Sequence, residues 1–299
     1  MPRSIYAYLL IICCIFFTSP IFAQNNTFKT ELATISKEAN GTVGIGIMDL
    51  KTGKTAIQHG DHKFPMQSVF KFPLAMAVLD QVDKGKITLT QKVRITKEDL
   101  LPKTHSPMKD KYPEGNIDLT VADLLSYTVS ESDNIACDLL FKLAGGTKVV
   151  NDYVHKLGVK NIEIVANEEE MTKGWDIQYK NFSTPGAMLQ LLSVFYKGKN
   201  LSKASSDYLW KIMIAGPTGA NRIKSQLPEN TIVAHKTGTS GKNEKGTFAA
   251  TNDVGIVKLP GGKDLAIVVF VSDSNADIEK RELVIAKVAK AAAEHFPSK

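Results

Sequence analysis

The chain is poor in arginine. Four of its 37 basic residues are Arg (Arg3, Arg94, Arg222 and Arg281), and the rest are lysines scattered among acids. With aromatic residues at only 8%, the formal charge of +6 describes a solvated surface. It does not describe the arginine-rich, aromatic-interleaved stripe of a nucleic-acid binder, so no nucleic-acid partner is expected. No run of ~20 apolar residues follows the first two dozen positions, which argues against a protein threaded through a membrane by helices. The six histidines (His59, His62, His105, His155, His235 and His295) form no H-x-H-x-D-H or H-E-x-x-H pattern. Zinc hydrolysis is set aside on that ground, and no cofactor is implied. His59 and His62 are expected in an exposed loop between strands.

Cysteine is equally scarce, and its placement follows from the first residues. Arg3 supplies a positive start, Ile5–Thr18 is almost wholly apolar, Ser19-Pro20 breaks the run, and Ala23 offers a small residue before Gln24. This is the pattern of a cleaved secretory leader over residues 1–23, with a periplasmic destination and no stable membrane association afterwards. Cys13 and Cys14 leave with it. A lipid-anchor reading of that pair is disfavoured by the bulky Ile11-Ile12 before it. Cys137 then remains alone, so no internal disulfide can form even in an oxidising compartment. Its spacing within Asn134–Leu140 suggests a packed helix position.

What is present is enough apolar material for a sizeable core. The 299 residues are 43% hydrophobic and 23% charged, a length that suggests about two domains. Thr27–Lys37 reads as a lead helix. Gly41–Leu50 alternates as a strand does, Lys51–Lys54 turns, and Thr55–Gln58 returns as a hairpin partner. From Ser68 the period changes, with Phe70, Leu74, Val78 and Val82 on one helical face and Gly85 as a stop. Pro73 is tolerable because it lies near the helix start.

Helical patterns continue at Val121–Thr128, Asn134–Leu143, Lys148–Leu157, Thr184–Tyr196 and Ser205–Met213. Two irregular stretches interrupt them, Pro102–Asp118 and Ala166–Phe182, of a length that is usually functional. Strands resume at Thr231–His235, Phe248–Val257 and Asp264–Ser272, before a closing helix over Ala276–Ala293. Strands at both ends with helices between predict an α/β domain built from residues 24–66 and 215–299, whose terminal strands pair with each other. An all-α domain, residues 67–214, is inserted. A monomer is expected.

Three short motifs carry chemistry. Ser68-Val69-Phe70-Lys71 sets an amine beside a hydroxyl on one helical face, and a serine needs such a neighbour to become a nucleophile. At a helix start, the macrodipole also favours negative charge developing there. The motif alone is not specific, since Ser106-Pro107-Met108-Lys109 repeats it in a loop. Ser132-Asp133-Asn134 lies at a loop-to-helix boundary. It would serve as a cap, or it could give Ser132 a proton-relay hydroxyl and Asn134 an amide facing the same cleft. Lys236-Thr237-Gly238 ends an apolar strand, with a decoy in the turn Lys51-Thr52-Gly53.

Order and context make the set specific: S-x-x-K on a helix, then S-D-N, then K-T-G at a strand end. On these motifs the chain resembles the class A serine β-lactamases over essentially its whole length after the leader. It is most similar to their PER- and VEB-type extended-spectrum subgroup. The supporting stretches are Phe64–Ser68, Leu100–Thr104, Tyr127–Asn134 and Val233–Gly241. The resemblance implies the serine β-lactamase/DD-peptidase-like two-domain fold, an antiparallel sheet flanked by helices, with the active site between the domains.

The resemblance also implies roles. Ser68 attacks the lactam carbonyl, while its backbone N–H and that of Thr239 form the oxyanion hole. Lys71 and Glu168 share the proton traffic of acylation, Glu168 through a water, and their division of it is disputed for the family. Ser132 delivers a proton to the lactam nitrogen. Asn134 binds the acylamino side chain. Lys236, Thr237 and Thr239 receive the substrate carboxylate, with Arg222 nearby. Gly238 and Ser240 complete the strand edge along the substrate, and the Thr239-Ser240-Gly241 run favours oxyimino-cephalosporins.

Glu168 decides between hydrolysis and capture, because an acyl-enzyme turns over only if a base activates water. It lies in the Ω-loop, residues 166–182, where Glu169 and Glu170 are chemical alternatives. Four positions depart from the family pattern. Ala166 and Asn181 stand where many relatives place an Arg–Asp pair that braces this loop. Thr172 replaces an Asn or His that helps hold the water, where a hydroxyl could substitute. His105 replaces an aromatic residue that packs against substrate. The alternatives are a cell-wall DD-peptidase and a β-lactam sensor, both of which acylate without rapid release.

Overall fold

The computed structural model describes residues 20–101 and 103–296, with side chains from Thr27 onward. The predicted leader therefore lies largely outside the described residues. In chain order the first elements are α1 (Pro20–Lys37), β1 (Thr42–Asp49), β2 (Thr55–Gln58), β3 (Phe64–Pro65), α2 (Lys71–Asp83), β4 (Lys92–Ile95), α3 (Pro107–Lys111) and β5 (Ile117–Thr120). Then come α4 (Val121–Ser130), α5 (Asn134–Ala144), α6 (Thr147–Lys156), β6 (Ile162–Glu163), α7 (Glu168–Met171) and β7 (Phe182–Ser183). The chain closes with α8 (Pro185–Tyr196), α9 (Lys203–Ala215), β8 (Ile232–Thr239), β9 (Thr251–Leu259), β10 (Lys263–Ser272) and α10 (Ile278–His295).

The main sheet has the order β2-β1-β10-β9-β8 and is antiparallel throughout. The strands from the two ends of the chain do pair: Thr42 faces Ser272 and Asp49 faces Leu265. Alternation along the strands divides the core. One face (Val43, Ile45, Ile47, Val233, Val257, Ile267 and Val269) is covered by α1 and α10. The opposite face (Ala234, Val254, Ile256, Ala266, Val268 and Phe270) joins the core of the helical layer. Every residue from Lys71 to Leu79 of α2 is buried, so this helix is central and not a one-faced surface helix. It packs on α4, α5, α6 and α9. Cys137 is in that core and fully buried.

The two irregular stretches hold more structure than the sequence suggests. Ser106 caps the short α3, its hydroxyl accepting from the Lys109 amide at 3.1 Å, so this second S-x-x-K is a capping motif. The 166–182 stretch contains α7 and a 3-10 segment, Trp175–Lys180. The two-residue strands β3, β6 and β7, too short to show a period, form a small sheet that anchors both ends of this stretch beside the Ser68 turn. Among the described residues no helix is long and apolar enough to cross a membrane.

Candidate active site

Four elements converge at the edge of the main sheet. Ser68 lies on a 3-10 turn, Gln67–Phe70, that runs directly into α2, so Ser68 and Lys71 belong to successive helical elements. Their side chains nevertheless meet, with Lys71 Nζ donating to Ser68 Oγ at 3.1 Å. Lys71 is fully buried, yet its ammonium is surrounded by acceptors: the Ser132 carbonyl at 2.7 Å, Asn134 Oδ1 at 2.6 Å and Glu168 Oε1 at 2.8 Å. A buried ammonium is tolerable only with such partners.

Ser132 sits between α4 and α5 at φ +60, the left-handed conformation that lets the chain reverse between two helices and turn its carbonyl toward Lys71. Asp133 fixes this corner. One of its oxygens caps α5 through the Ala136 amide at 2.8 Å, and the other takes the Ser106 hydroxyl and the Met108 amide, each at 2.8 Å. Asn134 donates to Thr104 Oγ1 at 2.9 Å. His105 is exposed at the same rim, its Nε2 2.9 Å from the Glu131 carbonyl.

Lys236 lies within β8 and not at its end, because the strand runs on to Thr239. Its ammonium donates to Ser132 Oγ at 2.9 Å. Burial, reinforced by the Lys71 charge, pulls its pKa down to about 7, while Glu168 and Asp253 oppose the shift. Gly238 is required for close approach. A Cβ there would lie 2.4 Å from the Met66 carbonyl and 3.3 Å from Ser68 N. That contact sets the Thr239 end of β8 against the Ser68 turn.

Arg222 lies under the same edge. Its guanidinium reaches Thr239 Oγ1 at 2.7 Å, the Asn252 carbonyl at 2.9 Å and Glu282 at 3.0 Å. Thr237 Oγ1 is 3.0 Å from Thr218 Oγ1. The Ser240 hydroxyl turns away onto the Ala250 main chain, accepting its amide at 3.0 Å.

Where the sequence shows only that an Arg–Asp brace is impossible, the structure shows its replacement. Asn181 is fully buried, and its side-chain oxygen accepts from the Val165 and Ala166 amides at 2.8 and 3.0 Å. Its Nδ2 donates to the Ala166 carbonyl at 2.7 Å. Asp138 is a second clamp that the sequence reading missed, accepting from the Glu168 and Glu169 amides at 2.8 and 2.9 Å. Its spacing of four from Asn134 on α5 places both on one helical face, which is the signal that could have found it. Thr172 donates its hydroxyl to the Glu169 carbonyl at 2.7 Å and is exposed, so that hydroxyl is engaged on its own helix. A cavity of about 340 Å³ opens between Gln67, Glu168, Thr172, Trp175, Gln178 and Gly241.

Burial raises the Asp138 carboxyl to about 6, against an ordinary 3.8. Its protonated form is therefore favoured in the folded state. That contribution to stability is complete below 3.8 and is lost as pH rises through about 6. Asp138→Asn should flatten the dependence of melting temperature on pH across this window. An amide can accept from only one of the two N–H groups, so the variant should also loosen α7 and lower kcat about tenfold. Thermal melts at stepped pH, beside steady-state kinetics, check both outcomes.

The convergence of a serine, two lysines, a second serine and a carboxylate in one cleft accords with the comparisons. The beta-lactamase enzyme family matches residues 27–296. The chain belongs to this family. It is 48% identical to beta-lactamase VEB-1 of Pseudomonas aeruginosa over 94% of this chain and 95% of that one. It is 41% identical to the extended-spectrum beta-lactamase PER-1 of the same organism, over 90% and 87% of the two chains. The crystal structure of a beta-lactamase from Chitinophaga pinensis superposes with a TM-score of 0.89 at 51% identity, covering 91% of this chain and all of that one. TLA-1 extended-spectrum beta-lactamase gives the same TM-score at 46% identity, covering 91% and 99%. This β-lactamase thus has the class A fold, and its active-site elements occupy one edge of the sheet. Among the described residues no group of His, Cys, Asp and Glu could hold a metal ion.

Proposed function

We propose that this β-lactamase opens the β-lactam amide of penicillins and cephalosporins through a Ser68 acyl-enzyme that Glu168 then clears. The observation that carries the reading is the continuous contact from Ser68 Oγ through Lys71 Nζ to Glu168 Oε1, at 3.1 and 2.8 Å. Lys71 holds Ser68 Oγ on one side and Glu168 on the other, so it can relay the Ser68 proton. It first passes a proton to Glu168, or Glu168 takes the serine proton through water; on either route the proton ends on the carboxyl group.

Ser68 Oγ bonds to the lactam carbon as its oxygen gathers charge, which the Ser68 and Thr239 amides receive. Ser132 gives its proton to the lactam nitrogen as the C–N bond breaks and regains one from Lys236, its hydrogen-bond donor at 2.9 Å. Glu168 then gives up its proton through Lys71, which restores the one Lys236 lost; its carboxylate next takes a proton from water, and the hydroxide formed cleaves the ester. Ser68 Oγ leaves with the proton that Lys71 supplies, and Lys71 regains one from the Glu168 carboxyl group in contact with it. Asn134 holds the acylamino group, and Lys236, Thr237 and Thr239 take the carboxylate.

Residues 24–66 with 215–299 form one lobe and residues 67–214 the other, a division supported by the sheet's terminal strands coming from both ends of the chain. The cavity beside Gln178 and Gly241 supports acceptance of bulky oxyimino side chains, and His105 borders the entrance. Residues 1–23 serve as a periplasmic leader; the family match starts beyond them, at residue 27. Both faces of the sheet are covered within one chain, which supports a monomer acting on small molecules and no nucleic acid. Purified protein should turn over a chromogenic cephalosporin, and intact-mass spectrometry should show a short-lived penicilloyl adduct. A long-lived adduct would instead identify a peptidase or a sensor.

A further inference from the structure

A buried hydrogen-bonded pair lies behind the cleft. His235 and Asp253 are 3% and 0% exposed. Side chains along β8 alternate, so Lys236 faces Ser132 while His235, Thr237 and Thr239 face the chain at 216–223. His235 Nδ1 stands 2.8 and 3.0 Å from the two Asp253 oxygens, and Asp253 Oδ2 also accepts the Ile223 amide at 3.2 Å. His235 Nε2 is buried and meets no partner among the described residues. The ring therefore donates to Asp253 through Nδ1, since an N–H at Nε2 would be buried without an acceptor.

Ile223 directly follows Arg222, whose guanidinium touches Thr239 Oγ1 and the Gly238 and Asn252 carbonyls. The loop before it lies flat on the same side chains. A Cβ on Gly219 would be 2.5 Å from Thr237 Cγ2 and 3.2 Å from His235 Cε1. A carboxylate buried against one imidazole and one amide is costly to fold around. The charges near it are Lys236, Lys224 and Arg222, the last already bound to Glu282.

Resting on the hydrolase reading above, we propose that His235 and Asp253 form a positioning pair for the carboxylate-binding edge. The imidazole orients the Asp253 carboxylate, the carboxylate holds the Ile223 amide, and that amide sets where Arg222 leaves the backbone to meet Thr239. Neither residue touches substrate. The pair acts on how a β-lactam is captured and not on how the ester is hydrolysed.

His235→Asn puts an amide nitrogen where Nδ1 stands, and His235→Gln puts one where Nε2 stands. With a chromogenic cephalosporin, His235→Gln should lower kcat/KM about tenfold with kcat held within about twofold. His235→Asn should restore kcat/KM to near the unaltered value. In an Arg222→Ala background, His235→Gln should add less than about twofold. Equal damage in both His235 variants, parallel losses in kcat and kcat/KM, or losses that add to Arg222→Ala would each overturn the proposal. If His235→Gln does not fold, the near-isosteric Asp253→Asn carries the test, with the same selective fall expected and no change refuting it. If the unaltered enzyme shows no turnover, the hydrolase reading has failed, and the same comparison is made on the rate of covalent penicillin labelling.

Discussion

Glu168→Gln should acylate more slowly than the unaltered enzyme and then stop, so that intact-mass spectrometry finds nearly all the protein carrying one opened β-lactam. The carboxylate is 7% exposed and sits 2.8 Å from Lys71, while its backbone amide is held by Asp138 at 2.8 Å. Glutamine preserves that shape but cannot take a proton from water. Removing a positioned general base costs about 10²–10⁴-fold, and here the loss should fall on kcat. Acylation survives if Lys71 can shed its proton by another route. If the variant carried no adduct at all, Glu168 would be the sole acceptor of the Ser68 proton. If it turned over normally, the water-activating role would pass to another group.

Lys71→Met should fail earlier, with little adduct formed on the timescale at which Glu168→Gln is fully labelled. Its ammonium touches Ser68 Oγ, the Ser132 carbonyl, Asn134 Oδ1 and Glu168 at once. Methionine conserves the stem and removes every one of these contacts. Loss of the proton relay should lower kcat/KM about 10³-fold. The variant should also be less stable by about 3–5 kcal/mol, because a buried carboxylate is left without its cation. Stopped-flow acylation and denaturant melts separate the two effects. A Lys71→Met protein that acylates as fast as the unaltered enzyme would place the base elsewhere.

The two variants divide the site by what was legible in the sequence. Ser68 and Lys71 are three residues apart, so helical spacing alone brings their side chains together. Arg222 and Thr239, also named from the sequence, meet because a loop passes under a strand edge. His235 and Asp253 were assigned no role, because each reads alone as an ordinary strand residue. Asn181 was legible only as a missing aspartate. That its amide bridges both sides of the 166–182 stretch depends on the fold bringing Val165 and Ala166 to it. The short strands β3, β6 and β7 carry no alternation that could announce them, and tertiary contact alone makes them strands.

Sequence by itself determined the class of fold, the pairing of strands from the two ends of the chain and the choice of residues proposed to react, because periodicity and short motifs are local properties. Only the tertiary structure decided how the carboxylate is held and which residues brace the cleft. Hydrogen bonds such as Asp138 to the Glu168 amide or Asp253 to the Ile223 amide join residues 30 apart in the chain. No local pattern encodes such partners, since what selects them is the need to satisfy polar groups that folding has removed from water.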